Sequence, residues 1–402
     1  MSTYTSLLKT PGVGRIIAAQ LTARFPFGML SLAFLLHVEH VHHSYAAAGL
    51  VLAATSIGQA ISGPLTSRWM GRWGMRPVLL LTLAVCLVTM LAFTAFDFSV
   101  PAFMALGFVT GLSVPPIQPA VRTIYPKMVN SSQLTPLFSL DASAQEIIWV
   151  AGPVITTFVG TQVGTREAIW LAALFLVGGG IWFIASPEVG RVRIPRSKRS
   201  FGKVLARPPV LLATVAGFLL IGACAAVEAG VVALFGEGSA DSGIALAVFA
   251  LGSLVGGLAL GHVPVGPWAL ARRLAIVFVG MVLAIFVSGL LPLSGALLVA
   301  GVGIAPALAV MFAVVSSSVK FSDTAEAYGW AGTGQLIGSA LGSAIAGFWI
   351  DRIGGQGGLV VAAAFAAVGV VVGVVFHRWL PDLRGRDASP LPDTEPVPVQ
   401  AS

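Results

Sequence analysis

The chain has 402 residues, of which 56% are hydrophobic and only 10% charged, with a mean hydropathy of +0.92. That excludes an ordinary soluble domain, in which about a quarter of residues are charged, and leaves an integral membrane protein. The net charge of +7 points to a bilayer surface and not to nucleic acid, because the Lys and Arg residues sit between apolar segments.

The first stretch, MSTYTSLLKTPGVGR, is polar and lacks a small-residue cleavage site. It reads as a retained cytoplasmic end (1–14) and not as a signal peptide. A helix needs about 20 apolar residues to cross the hydrocarbon. The sequence predicts such spans at 15–37, 45–67, 77–97, 101–122, 136–160 and 166–185. A polar stretch with seven basic residues, 186–208, reads as a cytoplasmic linker. Six more spans follow at 209–235, 242–262, 270–291, 293–315, 325–349 and 357–379. Pro77, Pro101, Pro136 and Pro209 open spans, where the first-turn N–H has no partner to lose. From residue 380 the chain is rich in Pro, Asp and Ser and reads as a disordered cytoplasmic tail. The expected domains are therefore bundles at 15–185 and 209–379, joined by the linker.

Orientation follows from the basic residues. With the N-terminus inside, 20 of the 23 Lys and Arg fall on the inner side, two (Arg166 and Arg352) fall outside, and Arg24 lies in mid-span. That bias puts both chain ends in the cytoplasm. The halves also repeat: LLKTPGV (7–13) answers VLARPPV (204–210), and SIGQAISG (56–63) answers SLVGGLALG (253–261). A repeat of six-span units marks a transporter that rocks around a central site. Cys86 and Cys224 lie inside apolar runs and read as packing residues. HVEHVHH (37–43) resembles a metal-binding string but reads as a solvated turn, and no metal or cofactor is expected.

Twelve spans, the 6+6 repeat, the basic linker and an Arg- and Gly-rich stretch after the second span resemble the major facilitator superfamily. The phrases TPGVGRI, SYAAAGLV, QEIIWVAGP and AEAYGWAGTG are most similar to its bacterial twelve-helix drug-efflux-type permeases. The resemblance implies an all-α membrane protein of two pseudo-symmetric six-helix bundles. The family's loop motif, G-x-x-x-D-R-x-G-x-R, falls on Ser67, Gly71, Arg72, Gly74 and Arg76. Ser67 replaces the first glycine, and Gly71 replaces the aspartate that in the family helps latch the two halves. GFWIDRIGG (347–355) fits the pattern better but lies outside by span count and reads as a surface turn. The family's fourth-helix R-x-x-x-G meets GFVTG (107–111), without the arginine. Gly152-Pro153 matches the family's fifth-helix pair, where proline frees a carbonyl and bends the helix.

Charges within the apolar spans are costly and so informative. Arg24 lies about 13 Å into the first span at 1.5 Å per residue, where a charge costs at least ~2.5 kcal/mol and needs a partner. Glu146 in the fifth span is at similar depth, and because the resemblance implies that the first and fifth helices are neighbours, an Arg24–Glu146 pair is expected. Two accounts of it stand open: a permanent ion pair that positions helices, or a carboxylate that exchanges a proton beside a steering guanidinium. Glu228 and Asp141 are further proton-coupling candidates, Asp141 as a partner of Arg122 or Lys127. Gln20, Arg24, Phe27 and Ser31 recur at helical spacing and read as a cavity wall. Gln118, Gln145, Trp149, Trp330 and Gln335 are additional cavity candidates. Gly334, Gly338 and Gly342 at four-residue spacing read as a close packing seam.

No G-x-x-x-x-G-K-[ST] sequence occurs, and no histidine lies deep in a span to assist a serine nucleophile. The chain is expected to be no enzyme. It reads as a monomeric multi-pass transporter of the bacterial inner membrane, driven by the proton gradient and exporting small amphipathic or lipophilic molecules. Uptake of a sugar or organic acid by symport or facilitated diffusion is the alternative, and a non-transporting scaffold or receptor a remote one.

Overall fold

The computed structural model describes residues 2–236, 239–385 and 388–393. Among them, twelve helices are long and apolar enough to cross a membrane. The first six are α1 (Val13–His42), α2 (Tyr45–Trp73), α3 (Met75–Ala95), α4 (Val100–Lys127), α5 (Ser131–Gln162) and α6 (Thr165–Ala185). After the linker come α7 (Pro208–Phe235), α8 (Ala240–Leu260), α9 (Ala269–Phe286), α10 (Leu290–Ser318), α11 (Phe321–Ile353) and α12 (Gln356–Val375). A short helix, Ser2–Lys9, precedes them. Helices α1, α5, α7 and α11 begin on the side where the linker runs, here called the linker face; the opposite side is the far face.

The two halves repeat in packing as well as in sequence. In the first, α1 packs against α5 and α6, α2 against α4, and α3 against α6; each pairing recurs six helices later. The breaks recur too. Helix α4 is interrupted between Leu112 and Ile117, where Pro115 and Pro116 withhold N–H groups, and α10 breaks at Gly303, three residues before Pro306. The glycine seam expected on α11 joins it to α7. A Cβ on Gly334, Gly338 or Gly342 would come within 2.8, 2.1 or 2.2 Å of the carbonyl oxygens of Thr214, Phe218 and Gly222. Large apolar side chains such as Leu80, Val88, Leu174, Leu291 and Val371 stay exposed on the outer walls, as lipid-facing residues do.

Three expectations change. Helix α2 runs to Trp73, six residues beyond the expected end, because nothing breaks it before Gly74, whose φ of +91° closes it. The Arg-rich stretch is thus a helix end with a one-residue turn, and its long basic stems suit the membrane boundary. Helix α1 likewise continues through His42, and α11 through Asp351 and Arg352, so neither HVEHVHH nor GFWIDRIGG is a turn. The tail is not disordered throughout. Leu383 N–H donates to Val265 O, and Leu391 pairs with the α10–α11 junction through bonds to Val319 O and from Phe321 N–H. Asp393 accepts from Ser322 N–H at the start of α11. Prolines keep this strap from forming a helix, and backbone groups of Leu383 and Leu391 find partners in the second half; residues 386–387 and 394–402 lie outside the described residues.

Candidate functional site

Polar side chains gather where the bundles meet. Asp141 of α5 is fully buried and forms a hub. Its Oδ1 accepts from Gln20 Nε2 (3.0 Å) and Tyr125 OH (3.2 Å) and lies 3.5 Å from Arg24 Nη1. Its Oδ2 accepts from Arg122 Nε at 3.1 Å. Gln20 Oε1 accepts from Arg24 Nη1 at 2.8 Å, and Gln145 Oε1 accepts from Arg24 Nη2. Gln118, with its amide oxygen toward Arg122, accepts from both terminal nitrogens at 2.5 and 2.8 Å.

Helical spacing explains the set. Gln20 and Arg24 are four residues apart on α1, as are Asp141 and Gln145 on α5, so each pair shares a face. Glu146, one residue further, is turned about 100° away, so the expected Arg24–Glu146 pair does not form. Two guanidiniums share one carboxylate. The surplus positive charge is solvated by amide oxygens and by the Phe312 ring of α10, 3.4 Å from the Arg122 guanidinium carbon. Arg24 and Arg122 are each 2% exposed, while Gln118 and Gln145 at the edge of the cluster are half-buried.

Glu146 looks instead to the other bundle. Ser253 Oγ of α8 donates to its Oε1 at 2.8 Å. Glu228 lies on α7 one turn beyond Cys224, on the same face of that helix. Glu228 is exposed and Trp149, one turn beyond Glu146, is 51% exposed. Phe27 is half-buried and Ser31 exposed on α1. Gln335 packs on Gly217 of α7. Trp330 packs toward the linker, its ring centroid 5.5 Å from that of Phe201 with the planes tilted by 44°. Gly152 meets the backbone of Gly28, where a Cβ would lie 2.8 Å from the Gly28 carbonyl carbon, so α1 and α5 touch at the Gly-Pro bend. Pro153 follows inside the continuous α5.

The linker face is closed by contacts between the bundles. Arg68 Nη1 bonds Glu326 Oε2 at 2.6 Å and its Nη2 donates to Arg199 O; Glu326 Oε1 accepts Gly202 N–H at 2.8 Å. Asp323 holds Ser197 and Arg199 of the linker. Ser139 Oγ and Tyr4 OH both donate to Gly257 O, and Thr333 Oγ1 to Ala60 O. Among the described residues, every hydrogen bond, ion pair and ring contact between bundles lies at mid-helix or nearer the linker face. These contacts hold the halves together on the linker side.

In the loop-motif positions, Arg76 donates to Ile184 O and Ser186 O within its own bundle, and Gly71 packs on the linker at Pro195. Arg72 is exposed, and Ser67 is buried with an unpaired hydroxyl. The contact between halves thus comes from Arg68, one residue after the first motif position, and from Glu326 near the start of α11. Tyr125, Ser253 and Phe312 escaped the sequence, whereas of the two partners expected for Asp141 the structure forms the pair with Arg122.

Replacing Glu326 by Gln leaves Arg68 without its counter-charge. Maleimide labelling of Ser67→Cys, with Cys86 and Cys224 replaced by Ser, is expected to quicken at least about fivefold, the effect of 1 kcal/mol on the closed state.

Two repeated six-helix halves closed at one face around a polar midline define a twelve-helix transporter. The chain belongs to the Major Facilitator Superfamily, whose family model matches residues 16–299. Its fold is similar to that of the human organic anion transporter MFSD10 (TETRAN), with a TM-score of 0.72 and 17% identity over 90% of this chain and 98% of that one. A bacterial homologue of the iron transporter ferroportin in an outward-facing state gives 0.72 and 11% identity, over 90% and 98% of the chains. The proton:xylose symporter XylE bound to 6-bromo-6-deoxy-D-glucose gives 0.71 and 14%, over 94% and 97%. No curated protein matches the chain.

Proposed function

We propose that the protein is a proton-coupled exporter of small amphipathic molecules, working by alternating access, with its linker face in the cytoplasm of a bacterial cell and both chain ends on that side. The observation that carries this is Glu146: a carboxylate at mid-depth, bonded across the bundle interface to Ser253. Opening the linker face pulls Ser253 away, so the proton affinity of Glu146 differs between the two states, which is what coupling requires. The asymmetry of basic residues supports the orientation. Arg24 and Asp141 then serve to hold α1, α4 and α5 together beneath the cleft and do not relay protons to Glu146.

Glu146→Gln in proteoliposomes is expected to lower transport driven by an imposed pH gradient at least tenfold while substrate counterflow persists. Unchanged uphill transport would remove Glu146 from the mechanism. In cells that accumulate a fluorescent cation, a protonophore is expected to raise accumulation; a fall would indicate uptake.

A further inference from the structure

We infer that the segments leading into α1 and α7 form a pair of reciprocal braces. Each is fixed to its own half and lays one aromatic residue, Tyr4 or Phe201, against the second helix of the opposite half, holding the linker face shut. The inference rests on the halves parting at that face and not on the substrate or the coupling ion.

The sequence repeat places the two residues in register. LLKTPGV begins at 7 and VLARPPV at 204, and three positions before each stands an aromatic, Tyr4 and Phe201. Each lead-in is anchored at home. In the first half, the helix Ser2–Lys9 packs against α1 and α5, with Leu7, on the same face as Tyr4, fully buried. Between that helix and α1 the chain turns at Gly12, where φ is +87°. Glu188, paired with Arg15, lies against this turn, and a Cβ on Gly12 would come within 2.1 Å of its carboxylate. In the second half, the short turn Lys203–Ala206 packs against α7 and α11. Gly202 N–H donates to Glu326 of α11 at 2.8 Å, and the Phe201 ring packs on Trp330 of the same helix.

Each tip then crosses. Tyr4 OH donates to Gly257 O in the last turn of α8 at 3.1 Å, and Ser139 Oγ of α5 donates to the same oxygen at 2.6 Å. Carbonyls at a helix C-terminus carry partial negative charge and suit hydroxyl donors. The seat has no room for a side chain: a Cβ on Gly261 would lie 2.4 Å from the Tyr4 oxygen. Phe201 is met by Arg68 of α2, whose guanidinium carbon stands 5.9 Å from the ring centroid while its Nη2 donates to Arg199 O. Helix α8 is the counterpart of α2 six helices on, so the two crossings are one contact made twice. Because each lead-in moves with its own half, opening the linker face must break both, and a variant lacking either is biased open.

The test is maleimide labelling of single-cysteine forms of the full chain in detergent, with Cys86 and Cys224 replaced by Ser and each brace read at the seam it does not touch. Ser67→Cys on α2 reports on Tyr4→Phe. Ser143→Cys on α5, at a buried hydroxyl that lies against Gly257 of α8, reports on Phe201→Leu. Tyr4→Phe is expected to quicken labelling about fivefold, the effect of one hydrogen bond. Phe201→Leu should quicken it about threefold, the effect of a partly exposed cation–π contact. Neither should move Tm much, since the first removes one oxygen and the second trims an exposed ring. Gly261→Ala, which fills the Tyr4 seat, should match or exceed Tyr4→Phe, and adding Tyr4→Phe to it should change nothing further. Unchanged labelling at both crossed reporters, quickening confined to the reporter beside the substituted residue, or full additivity in the double variant would overturn the proposal. Glu326→Gln is the control: if it alone quickens labelling, the halves part but the braces do not hold them. No gradient or substrate enters the measurement, so a failure of coupling at Glu146 is a separate result.

Discussion

Asp141→Asn is expected to destabilise the protein by about 3–5 kcal/mol, the cost of removing one member of a buried ion pair and stranding its partners. Here two partners are stranded, since Arg24 and Arg122 both depend on this one carboxylate. Amide oxygens alone then face two desolvated guanidiniums, and Tyr125 OH loses a charged acceptor. Thermal melting in detergent, followed by monodispersity on gel filtration, should show a large fall in Tm. Pairing Asp141→Asn with Arg122→Gln should restore part of it, because the double change removes one charge of each sign. A single variant as stable as the wild type would mean that water reaches the hub, contrary to its burial. The same surplus charge explains why Phe312 matters: its ring face stands where a second carboxylate would otherwise be needed.

Two glycines on α11 should respond in opposite ways to alanine. At Gly329 a Cβ would meet the Gly63 carbonyl oxygen at 2.5 Å and Pro64 Cα at 2.8 Å, all backbone of the other bundle. At Gly338 it would meet the Phe218 carbonyl oxygen at 2.1 Å, in the same bundle. Crowding of this kind costs about 1–3 kcal/mol. Gly329→Ala can escape it by separating the bundles at the linker face; Gly338→Ala cannot. Spin labels at Arg72→Cys and Arg272→Cys, both exposed, should show Gly329→Ala shifting the distance distribution to a more open linker face by about tenfold or more in population, with Tm little changed. Gly338→Ala should lower Tm and leave the distribution alone. If Gly329→Ala lowers Tm as much as Gly338→Ala and leaves the distances unchanged, the bundle interface is a rigid part of the fold and not a moving surface.

The sequence made the helices legible because each is a long apolar run with proline or glycine at its ends, and the 6+6 repeat predicted which helices would be equivalent. The site was less legible, for a geometric reason. Depth along a helix can be counted from its start, but α5 begins at Ser131 and not at 136, and the azimuth of each side chain decides its partner. Asp141 and Gln145 face α1 while Glu146 faces α8; one residue separates the two roles. Arg68 counted only among the inner-side basic residues, because its partner Glu326 lies 258 positions away in sequence. Glu326 for Arg68 and Phe312 for Arg122 are found only once the halves are folded against each other.

The strap after α12 has a mechanical consequence. It runs from Leu383, bonded at the α8–α9 connection, to Leu391 and Asp393 at the α10–α11 junction. The described strap residues thus meet four helix ends of one half at two places, so torque applied at the linker face is shared among those ends instead of falling on one of them.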